Sequence, residues 1–523
     1  MTETHLSFRA PGPLEAGSVV KRLSDSSDKA PLEISIHPHQ EQRILYDTLD
    51  WSLHSKGWQL QGALADEGVF RLVLSNARGV SFAGSAKSAQ NCLRAEQIEP
   101  AGLAERISEL AGPRALIALA RTNLVVATLS HRDTHGRVDA RLELAHSPEA
   151  QETWVRIRAD SGDAGLAREM GKAAKGCLRH LWEVDPSLDY FDTPLSLSRR
   201  SRGDFSTKAA ITPRPGEPLA ATLATFLGTT WLNFNRAWEA TRLECDEESL
   251  HDLRVILRST RAVLEPVARE KGSGILRELL AGIRSTAQAT NEARDADVVV
   301  AELKRRFPDP GLAMLLDDVA GRIHGRVESA IAGGYPDLER LWQGTTAHLL
   351  ATAHGALSAS AQHRRALAQE SLAFLRRAGA SQREHCREMV GELAALPDPT
   401  HEQLHELRKQ FKRLRYILES FDVERSRAEL RDIADSKNLQ TELGAFQDGE
   451  VMLGFVHAFL ETNRAAIGEE VAGELVAAAL QVREEARLRS LQVLRDLAGR
   501  PGWRRRKGRR GPDTGGEQKG GGR

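Results

Sequence analysis

The chain has 523 residues, with 72 Lys+Arg against 72 Asp+Glu, so its formal net charge is zero. Hydrophobic residues make up 41% and charged residues 28%, which excludes a largely disordered or collagen-like chain. No apolar run approaches the roughly 20 residues needed to span a bilayer. Residues Met1–Ser18 lack a continuous apolar stretch, so no signal peptide is evident and a soluble, cytoplasmic protein with no membrane partner is expected. Cys92, Cys177, Cys245 and Cys386 stand alone without a CxxC pair, and read as reduced thiols rather than a disulfide frame or zinc site.

In chain order, residues 1–30 are polar and rich in Ser, Gly and Pro, which predicts a flexible leader. Within a front domain at 31–183, the pattern from about residue 31 to 160 is β-like. Short runs at Leu32–Ile36, Val69–Ser75, Leu124–Leu129 and Val138–Leu144 are separated by Gly, Asn and Asp. Helical spacing over Ala164–Trp182 then predicts an antiparallel sheet closed by a helix. Residues 184–217, with several prolines and the run SRRSRGD, have linker composition.

Residues 218–498 change style to Ala/Leu/Glu/Arg-rich sequence with 3.6-residue periodicity, which predicts an all-α domain. Breaks are expected at Pro308–Pro310, Gly333–Asp337 and Pro397–Pro399, giving roughly nine to eleven helices. Residues 499–523 form a basic tail predicted to be disordered. From Arg500 onward it carries nine basic residues and two acidic ones, +7 against −7 for everything before it.

The helical part contains an internal duplication. HDLRVILRSTR (His251–Arg261) and HELRKQFKRLR (His405–Arg415) share the pattern H-x2-R-x3-(R/K)-x2-R at an offset of 154. At about 100° per residue, His251, Arg254, Arg258 and Arg261 fall within one sector of about 80°. His405, Arg408, Lys412 and Arg415 repeat it. Leu253, Ile256, Leu257 and Leu264 fall on the far side, as do Leu407, Phe411, Leu414 and Leu418. Each helix therefore buries one face and presents a cationic stripe beside it.

Like charges at i,i+3 and i,i+4 destabilise a helix by roughly 0.2–0.5 kcal/mol per pair. Each stripe has one well-placed acid, Glu265 four after Arg261 and Glu419 four after Arg415. The other cations lack a local partner, and a polyvalent anion between the two helices would supply one through guanidinium–phosphate hydrogen bonds. A second repeat pairs Arg294-Asp295-Ala296-Asp297-Val298 with Gln447-Asp448-Gly449-Glu450-Val451, each expected to open a helix. Asp295 and Asp448 suit N-caps or ion pairs to a stripe arginine.

HDLRVILRSTR, RDADV, HELRKQFKRLRY and LQTELGAFQD (Leu439–Asp448) resemble the CHAD domain, the conserved-histidine α-helical domain. The resemblance implies two pseudo-symmetric helical bundles enclosing a basic groove for inorganic polyphosphate, and association with polyphosphate granules. It carries binding roles to His251, Arg254, Arg258 and Arg261, then to His405, Arg408, Lys412, Arg413 and Arg415. The chain departs at Ser259, where the family often has a further basic residue and where Arg413 keeps it in the second copy. A looser grip in the first copy is expected.

CHAD domains often follow a CYTH, or triphosphate-tunnel, domain, and residues 31–183 resemble a worn copy. The likeness lies in Tyr46–Leu60 and Ala164–Lys175. YFDTP at Tyr190–Pro194 matches the family's letters but reads as coincidence in a linker. Tunnel triphosphatases need an E-x-E-x-K strand to hold metal and phosphate. Here that stretch reads Glu33-Ile34-Ser35-Ile36-His37, the basic strand offers Gln59 and Gln61, and the late acidic strand reads WVRIR with only Glu152 nearby. Glu33 and Arg121 read as remnants with structural roles.

The expectation is thus an α+β antiparallel CYTH-like domain followed by an all-α CHAD domain that binds polyphosphate without catalysis, metal or cofactor. A CYTH-type metal-dependent triphosphatase is one alternative. Nucleic-acid binding through the groove and the tail is another, since WRRRKGRR (Trp503–Arg510) suits any polyanion. Oligomeric state is left open.

Overall fold

The computed structural model describes residues 4–12, 39–64, 70–76, 80–132, 138–159, 182–183, 189–209, 212–214, 217–243, 247–271, 274–354, 371–420 and 425–503. The chain divides into two compact units, Met1–Thr207 with Asn233–Leu253, and Lys208–Leu232 with Arg254–Arg523.

The first unit is built on an antiparallel sheet. Among the described residues its strands are β1 (Thr4–Pro11), β2 (His39–Asp47), β3 (Trp58–Leu64), β4 (Phe70–Asn76), β5 (Ser81–Ala86), β6 (Cys92–Leu93), β7 (Ile98–Glu99), β8 (Leu116–Arg132), β9 (Val138–Ser147), β10 (Glu152–Ala159) and β11 (Trp182–Glu183). Their order is β11-β1-β10-β9-β8-β2-β3-β4-β5-β7, with β6 paired to β8. Among the described residues before 208, three α-helices accompany them, α1 (Ser52–Ser55), α2 (Ala101–Ala111) and α3 (Asp192–Leu197).

Period-two alternation divides the sheet's faces. Ile44, Tyr46, Leu60, Phe70, Leu72 and Leu74 bury with Leu103, Ile107 and Leu110 of α2. The opposite face carries a polar cluster, Glu41 and Arg43 of β2, Gln59 and Gln61 of β3, Glu143 of β9 and Arg156 of β10, beside the buried Leu45, Leu124 and Trp154.

Two expectations for this region are corrected. Residues 4–11, assigned to a flexible leader, form β1 in full register with β10 because Phe8 and Ala10 alternate into the core. The stretch taken as a linker is not simple linker either. Tyr190, Phe191 and Leu195 are buried, and YFDTP is a working part of the fold rather than a coincidence. Tyr190 Oη lies 2.6 Å from both Arg43 Nη1, whose bond it accepts, and Gln61 Oε1, to which it donates. Arg156 stacks over the Tyr190 ring at 4.7 Å. Asp189 accepts from Arg202 at 2.7 Å and from Gln59, and lies 3.4 Å from Arg156. The chain's own residues 189–204 thus occupy the polar face. Leu32–Ile36, Glu33, residues 164–181 of the expected helix and tail residues 504–523 lie outside the described residues, while Trp182, expected to end that helix, lies in strand β11 against Arg9.

The second unit is helical. From residue 219 onward, nine helices run through the described residues. They are α4 (Leu219–Arg242), α5 (Glu247–Lys271), α6 (Gly274–Ala289), α7 (Asn291–Arg306), α8 (Pro310–Ala353), α9 (Ser371–Leu393), α10 (His401–Glu419), α11 (Arg427–Ile467) and α12 (Glu469–Gly499). Parts of α4 and α5 belong to the first unit. Breaks fall at 307–309 and 394–400, as the prolines predict. The break expected at Gly333–Asp337 is absent, for α8 runs through Pro336. An interior proline costs roughly 3 kcal/mol. The apolar stripe Ile323, Val327, Ile331, Leu338, Trp342 and Leu349 continues across it and stays buried. Trp342 also donates to the Leu227 carbonyl at 2.9 Å and stacks near Trp231. Packing therefore overrides the local signal.

Leu407, Phe411 and Leu414 of α10 pack with Leu439, Leu443 and Phe446 of α11 and Leu491 and Leu494 of α12. Trp503 closes this core, 5.0 Å from the Phe411 ring, with Nε1 donating to Asp435.

Candidate anion-binding site

The two copies of the repeated helix are α5 and α10. Burial of Leu253, Ile256, Leu257 and Leu264 fixes the rotation of α5. Leu407, Phe411 and Leu414 do the same for α10. The cationic sectors must then face away from those cores. Thr400 starts α10 with a reciprocal capping box, its Oγ1 accepting from the Gln403 amide while the Gln403 side chain accepts from its own. His401 and His405 follow on the first turns.

The stripes converge. Arg258 of α5 lies close enough to disfavour the charged forms of Arg408 and Lys412 of α10, and Arg261 acts likewise on Arg413. Lys412 is pushed down to about 6, first by burial and then by Arg258, Arg408 and Arg415, with Asp448 opposing. Arg254 is lowered to about 10, chiefly by burial and then by Arg258. Burial is also the leading cause of the downward shifts at Arg261, Arg408 and His405.

These cations are poorly satisfied. The Nε groups of Arg254, Arg261 and Arg408 and the Nδ1 of His405 are buried without a hydrogen-bond partner. Lys412 makes no hydrogen bond or ion pair among the described residues. Arg254 uses Nη1 on Thr290 Oγ1 at 3.0 Å and Asn291 Oδ1 at 2.9 Å, which aims the guanidinium without neutralising it. Arg258 donates only to the Arg254 carbonyl, at 3.2 Å. His251 is half-buried on α5 and falls within the first unit.

Two glutamates bound the stripes, Glu265 buried and Glu419 largely so. Glu265, 6% exposed, meets Arg261 and Arg284, each at 3.4 Å, and also Arg413 from the other copy. Glu419 meets Arg415 at 3.6 Å, Lys208 at 3.2 Å and Lys437 at 3.4 Å. Arg413 is thus turned to Glu265, and its counterpart Ser259 is buried with its hydroxyl on the Ile256 carbonyl. Arg284, Lys208, Lys437, Thr290 and Asn291 carry no repeated signal, and sequence reasoning missed them.

Asp295 and Asp448 correct another expectation. Asp448 lies inside α11, and Asp295 one turn into α7, so neither caps a helix. QDGEV opens no helix, since it lies inside α11, where Gly449 lets α11 and α12 touch. A Cβ there would lie 2.7 Å from the Arg483 Cα. Neither aspartate reaches ion-pair distance of a described cation. Burial raises both, opposed by Arg254 for Asp295 and by Arg408 and Lys412 for Asp448.

Planar guanidinium donors held with unfilled valence in a half-dry setting suit tetrahedral oxyanions. The fold and site define an all-helical domain built on a duplicated, histidine-headed cationic helix. Residues 227–457 match the model of the CHAD domain. Among solved structures, the CHAD domain from the plant Ricinus communis shares 24% identity, covering 55% of this chain and 94% of that one at a TM-score of 0.44. PptA from Streptomyces chartreusis shares 17%, covering 53% and 99% at 0.38. A protein from Vibrio parahaemolyticus described as a candidate adenylate cyclase shares 13%, covering 36% and 95% at 0.24. No curated protein matches the sequence significantly.

Proposed function

We propose that this protein binds inorganic polyphosphate, without catalysis, in the groove between the stripes of α5 and α10. The observation that carries the reading is the convergence of the buried, acceptor-less Nε donors of Arg254, Arg261 and Arg408 around a Lys412 without a partner among the described residues. A buried polar group normally has a partner, and a cationic one left without it is costly. A chain of phosphates supplies many acceptors at close spacing. The front unit supports a non-catalytic role, because Gln59, Gln61, Arg43 and Arg156 of its polar face are engaged by Asp189 and Tyr190.

Titration with long-chain polyphosphate is expected to give an affinity that falls steeply with salt. The double variant Arg254→Ala/Arg408→Ala is expected to bind at least about tenfold more weakly, since each loses a charge-assisted hydrogen bond worth roughly 1.5–3 kcal/mol. Unchanged affinity in a folded double variant overturns the groove assignment. RNA displacing polyphosphate at matched salt would make the protein a nucleic-acid binder instead. No helix among the described residues is long and apolar enough to cross a membrane. Attachment to polyphosphate granules is part of the same proposal, and fluorescence imaging of the tagged chain in granule-forming cells tests it.

A further inference from the structure

Resting on that reading, we propose that the site extends beyond the repeated helices to Arg284 on one side and Lys437 on the other, so that it selects long polyanions over short ones. Neither residue belongs to the repeat. Each is joined to a stripe through one largely buried carboxylate that is outnumbered by its cations.

At the first such point, Glu265 receives Arg261, Arg284 and Arg413, three guanidinium groups on one carboxylate. Arg284 keeps 52% of its side chain exposed, so its remaining donors face water. At the second, Glu419 receives Arg415 and Lys437, with Lys208 on the same carboxylate. Lys437 is 56% exposed. A lone carboxylate cannot neutralise such a group, and each cluster keeps a positive surplus that is open to solvent.

The surpluses are continuous with the groove. Arg284 and Arg258 both act on Arg261, Arg258 acts on Arg408 and Lys412, and Arg415 acts on Lys412. Read along these neighbours, an unbroken cationic path runs Arg284, Arg261, Arg258, Lys412, Arg415, Lys437. Its inner members are half-buried and its two ends are exposed. A short oligophosphate seated at Lys412 satisfies the inner members alone. Only a longer chain reaches both ends, and each added phosphate contact releases counterions.

The test compares long-chain polyphosphate with tripolyphosphate on the full chain carrying Arg284→Gln and Lys437→Gln together. Long-chain binding is expected to weaken by about tenfold and its log–log salt slope to fall by roughly 1.5, with tripolyphosphate affinity unchanged. Both positions are exposed, and the charge-keeping pair Arg284→Lys with Lys437→Arg should retain the long-chain affinity. Equal loss for both ligands, or no loss for either, overturns the extended path. Absence of binding by the unmodified chain overturns the polyphosphate reading itself, and so the two failures are distinguishable.

Discussion

Arg413 of the second repeat forms its ion pair with Glu265 of the first. The carboxylate therefore fastens α10 to α5, and it does so in one direction only, since the counterpart of Arg413 is the buried Ser259. Replacing Glu265 by Ala leaves Arg413 and Arg261 half-buried without a counter-charge. A loss of about 3 kcal/mol in unfolding free energy is expected, on the scale of breaking a buried pair. Chemical denaturation of the helical unit checks it, and Ser259→Ala should change little.

Lys412 makes binding proton-linked. In the free protein it loses its proton near pH 6, well below the ordinary lysine value, because burial and Arg258, Arg408 and Arg415 oppose its charge. A bound anion reverses that balance, so binding above pH 6 takes up a proton. Polyphosphate affinity should then decline as pH rises from about 6 toward 8. Stability of the free protein moves the opposite way. The unfolded chain holds the proton up to its ordinary pKa and the folded one does not, so this group's contribution rises with pH between the two values. Calorimetry in buffers of different ionisation enthalpy measures the uptake, and Lys412→Arg should abolish most of it.

Asp295 and Asp448 soften the field of the groove without touching its cations. Asp448→Asn removes a negative charge that the ligand must otherwise overcome near Arg408 and Lys412. Affinity for polyphosphate is expected to rise by several-fold, and to rise most at low salt. A fall in affinity would mean that the carboxylate serves chiefly to position Arg408.

In the front unit, Asp189 is 1% exposed and shared by Arg202, Arg156 and Gln59. Asp189→Ala should destabilise that unit by about 3–5 kcal/mol, because two arginines lose their buried counter-charge. Differential scanning calorimetry should show the loss, with polyphosphate binding by the helical unit retained.

The sequence made one kind of information readable and hid another. Local periodicity revealed the two stripes and the spacing of Arg261 to Glu265, because helical geometry relates residues four apart. The sheet was visible at Val69–Ser75 and Val138–Leu144, where alternation is strong. It was invisible at Thr4–Pro11, whose partner strand lies more than 140 residues away. Pro336 misled for the same reason, since the helix that runs through it is buried against distant segments, with Trp342 donating to the Leu227 carbonyl. Tyr190 and Arg413 act through side chains from distant segments, and nothing in their own neighbourhoods announces those partners.

The segment that covers the polar face of the sheet places the Asp189 carboxylate beside Arg156 and Arg202 on the same molecule. A tethered counter-ion competes at an effective concentration that free anions rarely approach. The arginines of the front unit should therefore be indifferent to the phosphate level around them. In the helical unit, Arg254 and Arg258 form no ion pair with a carboxylate among the described residues.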